Sequence, residues 1–193
     1  MIAFGLFNFL QFIFQFSMAR MLSISDYGIL ATLFSLIYIL LIFSESIQTI
    51  ITKYSSMEKD NGKLKNLLIK SLKKASSISL IVFVCYLGIS LLLSPILKIS
   101  YLLLSFSGLI IFLIFLKPIN LGILQGKKKF KALGTNMVLE AFGKLILGIL
   151  FVYLGWKVYG AMMGVLLGGL FSFSFSFFQL KDILREKERK IKA

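Results

Sequence analysis

The chain has 193 residues, 58% of them hydrophobic and 20 of them Phe, with one Cys, no His and a formal net charge of +14. A soluble domain of this length has no core large enough for so much apolar area. One cysteine excludes an intrachain disulfide, and without His there is no Cys/His zinc site, no haem–His ligation and no histidine base.

The few charges are segregated and leave long uncharged runs. About 20 residues rising 1.5 Å each cover the roughly 30 Å of a bilayer's hydrocarbon, so such runs read as transmembrane helices. The first, about 1–19, has no basic region ahead of it and no small-residue cleavage site, so it reads as a span and not as a cleaved signal. Within it NFLQFIFQ (8–15) places Asn8, Gln11 and Gln15 at i, i+3 and i+7, one face of a helix otherwise Phe, Leu and Ile. In hydrocarbon such a face has to meet other helices or a water-filled cavity. Hydrogen-bonding glue and cavity lining both satisfy that requirement.

The second run, about 28–51, carries Glu45 and Gln48 near its inner end. Residues 53–76 then form a basic connection, with seven Lys between 53 and 74. In KLKNLLIKSLKKAS, Leu64, Leu67, Leu68 and Leu72 share a face, and Lys65, Lys70, Lys73 and Lys74 lie away from it. The pattern predicts a basic amphipathic helix, either lying in the inner interface or extending the third span. That span, about 77–97, holds Cys85 as a small buried or lipid-facing residue and ends in a tight turn around Pro95 and Lys98.

The fourth run, about 101–121, carries Lys117, Pro118 and Asn120 near its inner end, and Pro118 is expected to kink it. Four Lys follow in QGKKKFKAL (125–133). The fifth run, about 136–155, places Glu140 and Lys144 one turn apart, able to pair with each other. Lys117 can also reach the inner interface along its aliphatic stem. Ionisable residues at membrane depth are costly and default to functional candidates. The sixth run, about 158–180, repeats Gly160, Gly164 and Gly168, a small-residue face for close helix approach. Its FSFSFSFF (171–178) alternates like a strand, but the surrounding apolar run predicts helix. The tail, 181–193, adds six Lys or Arg.

Seventeen of the 22 basic residues therefore fall on one side, three (Arg20, Lys98, Lys157) on the other, and Lys117 and Lys144 inside spans. This bias places the 53–76 and 125–133 connections, and both termini, in the cytoplasm. It accounts for the net charge without a nucleic-acid partner, although lysines near the surface attract anionic lipid headgroups by about 1 kcal/mol each. The expected fold is an all-α polytopic membrane protein, with six transmembrane helices in residues 1–180 forming one lobe in the cell membrane. Catalysis is hard to build here. Asp26 is the only acidic residue on the outer side, and neither a paired carboxylate nor a GxxxxGK[ST] loop is present. The reading is therefore not an enzyme, with no cofactor and no metal.

Three stretches resemble polysaccharide-biosynthesis flippases. ARMLSISDYGILATLFSL (19–36) is similar to the end of their first helix, the outer loop and the second helix, with Ala19, Arg20, Leu22, Asp26, Tyr27 and Gly28 matching and Ser23 in place of a usual Gly. GILQGKKKF (122–130) is similar to the Leu-Gln-Gly-x-x-(Lys/Arg)-Phe pattern after the fourth helix. YLGWKVYGAMMGVLLGG (153–169) is similar to the entry to the sixth. The resemblance covers nearly the whole chain and points to the multidrug/oligosaccharidyl-lipid/polysaccharide (MOP) exporter superfamily, whose members carry twelve to fourteen helices in two six-helix lobes around a central cavity. It implies the N-terminal lobe of a MOP/MATE-like transporter that flips lipid-linked oligosaccharide by alternating access. It also implies that Asn8, Gln11 and Gln15 line the cavity, with Glu45 a cavity or ion-coupling residue.

Gln48, Lys117, Asn120, Glu140 and Lys144 complete the substrate-path candidates, and Arg20 and Asp26 form an outer-end motif. Lipid-diphosphate-binding members often use cavity arginines; here the only Arg near the membrane is Arg20, and the available cations are Lys117 and Lys144. The expected partners are membrane lipids, a lipid-linked sugar substrate and a second six-helix lobe, supplied by a homodimer or a separate chain. The single lobe also suggests a chain truncated at both ends. Two alternatives stand beside this reading: a multidrug/cation antiporter lobe of the same superfamily, and a non-transporting scaffold of polysaccharide assembly.

Overall fold

The computed structural model describes residues 2–187 and 189, and these fold as helices joined by short turns. Helix α1 (Ile2–Met21) turns at Leu22–Ser23 into α2 (Ile24–Met57). Ser23 caps α2: its hydroxyl accepts the Asp26 N–H at 3.1 Å and donates to the Asp26 carboxylate at 2.8 Å. The SISD stretch thus starts a helix, as a side-chain oxygen at the cap satisfies an otherwise orphan amide. Helix α3 (Asn61–Leu97) begins at the Asp60 cap and runs 37 residues. Helices α4 (Tyr101–Gly108) and α5 (Ile110–Gly126) follow, then α6 (Phe130–Phe151), a π-turn at Val152–Trp156, α7 (Lys157–Gln179) and the short α8 (Lys181–Leu184).

Among the described residues, five stretches are long and apolar enough to cross a membrane: Ile2–Met21, Ile24–Met57, Asn61–Leu97, Tyr101–Gly126 and Phe130–Gln179. The last is folded back on itself. The chain reverses at Gly155, whose φ of 89° lies in the left-handed region that costs a residue without a Cβ nothing. Beyond the reversal, Gly160 lies on Phe151, Gly164 on Gly148 and Gly168 on Lys144, so α6 and α7 run antiparallel in register. A Cβ at Gly164 would stand 2.5 Å from the Gly148 Cα, and one at Gly168 2.5 Å from the Lys144 N. The small-residue face is consumed inside the chain. Gly122 and Gly126 play the same part for α5, where a Cβ would meet Ile51, Thr52 and Ser55 of α2.

One expectation is corrected, and of the two alternatives for the amphipathic stretch the extension of the third span is the one observed. The basic connection 53–76 is not a loop: α2 continues to Met57, only residues 58–60 leave helical structure, and the amphipathic stretch is the first part of α3. Its leucine stripe does not lie in the interface, because Leu64 and Leu68 are fully buried in the protein core. The fourth apolar stretch is interrupted at Gly108–Leu109, and Pro118 lies inside α5, which continues to Gly126.

The segment after α7 is tied to the same end of the molecule. Lys65 donates to the backbone carbonyls of Leu184 (2.7 Å) and Glu186 (2.9 Å), Arg189 pairs with Asp60 at 3.0 Å, and Lys129 pairs with Asp182 at 3.0 Å. The Gly62 amide, with the Arg189 guanidinium, holds the Asp60 carboxyl below its ordinary range, and the Lys129 ammonium does the same for Asp182. The described part of the expected tail 181–193 is thus a strap across the start of α3 and the α5–α6 turn; residues 188 and 190–193 lie outside the described residues.

Candidate functional site

A cavity of about 640 Å³ opens among α1, α2, α5, α6 and α7. Helix α1 contributes Asn8, Gln11 and Gln15, the three amides of one face. Phe9 and Phe16 turn away from this face and are exposed on the outer surface, and Phe12, also exposed, stands at the edge of the cavity lining. From α2 come Phe34, Tyr38, Ser44 and Gln48; from α5, Lys117 and Pro118; from α6, Glu140 and Lys144.

Two polar contacts organise the walls. The Lys117 ammonium is ion-paired with Glu140, joining α5 to α6. The Lys144 ammonium donates to the Gln11 side-chain oxygen at 2.7 Å, joining α6 to α1. It also lies 4.2 Å from the Phe14 ring centroid and 4.9 Å from that of Phe34, so two aromatic faces share the cation. Gly168 packs α7 directly against the Lys144 backbone, and the Lys144 side chain crosses the cavity wall towards α1. The expected Glu140–Lys144 pair is corrected: Glu140 takes its cation from α5, and Lys144 is claimed by Gln11 and the rings.

The other candidates divide. Asn8 donates back to the Phe4 carbonyl at 2.9 Å while lining the cavity, and Gln48 donates to Gln125 at 2.8 Å. Asn120 is fully buried, bonded to Ser176 at 2.6 Å, and is structural glue between α5 and α7 outside the lining. Glu45 is exposed and outside the lining. Arg20 lies over the Phe16 ring at the far end of α1, and Asp26 serves the cap of α2.

Polar residues that the sequence reading passed over form a buried layer nearer the α5–α6 turn. Gln125 accepts from Gln48 and, at 3.3 Å, from the Thr52 hydroxyl; Asn136 bonds to Gln179; Ser172 donates to the Asn136 carbonyl at 3.1 Å. The available signal was the Gly122/Gly126 pair flanking Gln125, since two glycines one turn apart bring a neighbouring helix close enough for such bonds.

Long apolar helices in antiparallel array, with ionisable residues turned inward to a cavity, are the features of a multi-pass membrane protein. A family model described as polysaccharide biosynthesis protein matches residues 1–192, and the chain belongs to that family. It is also similar to a solved MOP superfamily transporter from Pyrococcus furiosus, at a TM-score of 0.71 and 19% identity. That match covers 100% of this chain and 45% of the other, so the chain spans less than half the length of the transporter whose fold it shares. The P. furiosus transporter is described as having a binding pocket of reverse polarity that suggests a different function. Among curated proteins there is no match.

Proposed function

We propose that this chain is one lobe of a transporter that moves lipid-linked oligosaccharide or polysaccharide precursors across the cytoplasmic membrane by alternating access. It crosses six times, α6 and α7 counting separately, with both termini in the cytoplasm. The observation that carries the reading is the cavity, where amides and two lysines face one glutamate among otherwise apolar helices. Amides suit sugar hydroxyls, which both donate and accept hydrogen bonds. The lysines suit an anionic linkage, and the Lys117–Glu140 pair gives the walls a contact that can be exchanged for substrate. The chain carries out no covalent chemistry in this reading.

A single lobe walls the path on one side. The Gly160/Gly164/Gly168 face is occupied by α6, so a second lobe has to meet the open side of the cavity and not this face. An even number of crossings gives that lobe the same orientation, related by an axis along the membrane normal. Reconstitution in liposomes with a fluorescent lipid-linked sugar tests the reading. The chain alone is expected to be inactive as a monomer and to flip substrate only when paired. Robust flipping by a monomer refutes the half-transporter. Absence of flipping by the paired lobes refutes the flippase and favours the scaffold. Reporter fusions after Lys63 and Lys128 are expected to read cytoplasmic and one after Lys157 external; an external readout at Lys128 contradicts the six-crossing topology.

A further inference from the structure

The basic stretch and the third apolar segment are one uninterrupted helix, so the directions of its lysines can be followed along a common axis. One face of α3 is buried: Leu64, Leu68, Ala75, Ser79 and Ser90 turn into the protein. The opposite face reads Lys70, Lys74, Ser77, Ile81, Val84, Gly88 at helical spacing, flanked by Lys73 and Ile78, and every one of these residues is exposed. The cationic face and the lipid-facing stripe are therefore the same face. The lysines earlier on the helix behave differently. Lys63 pairs with Glu58, and Lys65 holds the carbonyls of Leu184 and Glu186. The ammonium groups of Lys70, Lys73 and Lys74 have no ion pair or hydrogen bond among the described residues.

We propose that this face is a binding site for one anionic phospholipid, its phosphate held by Lys70, Lys73 and Lys74 and an acyl chain laid along Ile78, Ile81 and Val84. The dimensions fit. Ile78 to Gly88 rises about 15 Å at 1.5 Å per residue, half of a roughly 30 Å hydrocarbon layer and thus one leaflet. The lysines begin one turn before that stripe, at headgroup level, with the Ser77 hydroxyl at the boundary. Charge complementarity selects the occupant: three cations with no ion pair among the described residues, above an apolar track, match an anion carrying a hydrocarbon tail. The site is on the outside of the bundle, separate from the cavity, and does not depend on what the cavity carries.

Native mass spectrometry of the full chain in detergent, titrated with phosphatidylglycerol or phosphatidylcholine, tests the proposal. One phosphatidylglycerol is expected to bind well ahead of phosphatidylcholine. A lysine near an anionic surface is worth about fivefold in affinity, so K70Q/K73Q/K74Q is expected to lose at least tenfold. K70R/K73R/K74R is expected to retain binding, which separates loss of charge from loss of fold. K128Q/K131Q, which removes two exposed lysines elsewhere on the same end, is expected to change little. Glycerol phosphate, lacking the acyl chain, is expected not to displace the lipid. Equal binding of both lipids, unchanged affinity in K70Q/K73Q/K74Q, the same loss in K128Q/K131Q, or displacement by glycerol phosphate at comparable concentration overturns the site.

Discussion

Replacing Lys117 by Met removes the only cation in ion-pair contact with Glu140 among the described residues and leaves a carboxylate stranded between α5 and α6. Two unit charges near 4 Å attract by about 4 kcal/mol at an effective dielectric of 20. The Lys117 and Glu140 side chains are 15% and 25% exposed, toward the cavity. Water entering there screens the pair, and about half of the attraction, roughly 2 kcal/mol, is expected to survive as net stability. Lys117→Met and Glu140→Gln should each destabilise the chain by about 2 kcal/mol, because each strands its partner. The double variant strands nothing and should recover most of one loss, a coupling of about 1–2 kcal/mol. Reversible unfolding in mixed micelles reads this out, with the fluorescence of Trp156, the one Trp, stacked on Phe151 at 5.1 Å, as the probe. Additive single effects, with coupling below about 0.5 kcal/mol, refute the pair as a wall-to-wall contact.

Gly164→Ala should cost about 1–3 kcal/mol by overpacking, since its Cβ would stand 2.5 Å from backbone atoms of Gly148 that cannot rotate away; the same unfolding assay checks it, and a neutral result breaks the α6–α7 register. The strap after α7 should release in acid. Asp60 and Asp182 have folded pKa values depressed below their ordinary range, so their contribution is full above about pH 5 and fades as pH falls through those depressed values. Limited proteolysis near Arg185 should therefore accelerate in acid for the native chain and already be fast at neutral pH in D60N/D182N; a pH-independent rate contradicts the strap.

The amide face of α1 was legible because three amides at helical spacing among Phe and Leu leave one consistent side. The small-residue face of α7 was legible for the same reason, but not its partner, since a glycine stripe says how near a helix can come and not which helix comes. Pairing inside the cavity was hidden likewise. Glu140 and Lys144 are one turn apart along the chain, yet the α5 contact brings Lys117 to Glu140, and α1 offers Lys144 an amide and a ring. The leucine stripe of residues 64–72 was visible, but a stripe faces protein or lipid with equal ease, and only the fold showed Leu64 and Leu68 buried. Asn136, Ser172, Ser176 and Gln179 were passed over because isolated polar residues near a basic turn look interfacial, although together they knit α5, α6 and α7.

A transport path through this lobe requires the amide face of α1 to meet water at membrane depth. The direct measurement is thiol reactivity in intact membranes, with single cysteines placed on α1 in a Cys85→Ala background. Cysteines at 8, 11 and 15 line the cavity and should react with a small water-soluble reagent, whereas those at 9, 10 and 13 should stay protected, position 9 facing outward like Phe9 and position 10 buried like Leu10. Equal protection of both sets contradicts the account and makes the face helix-to-helix glue.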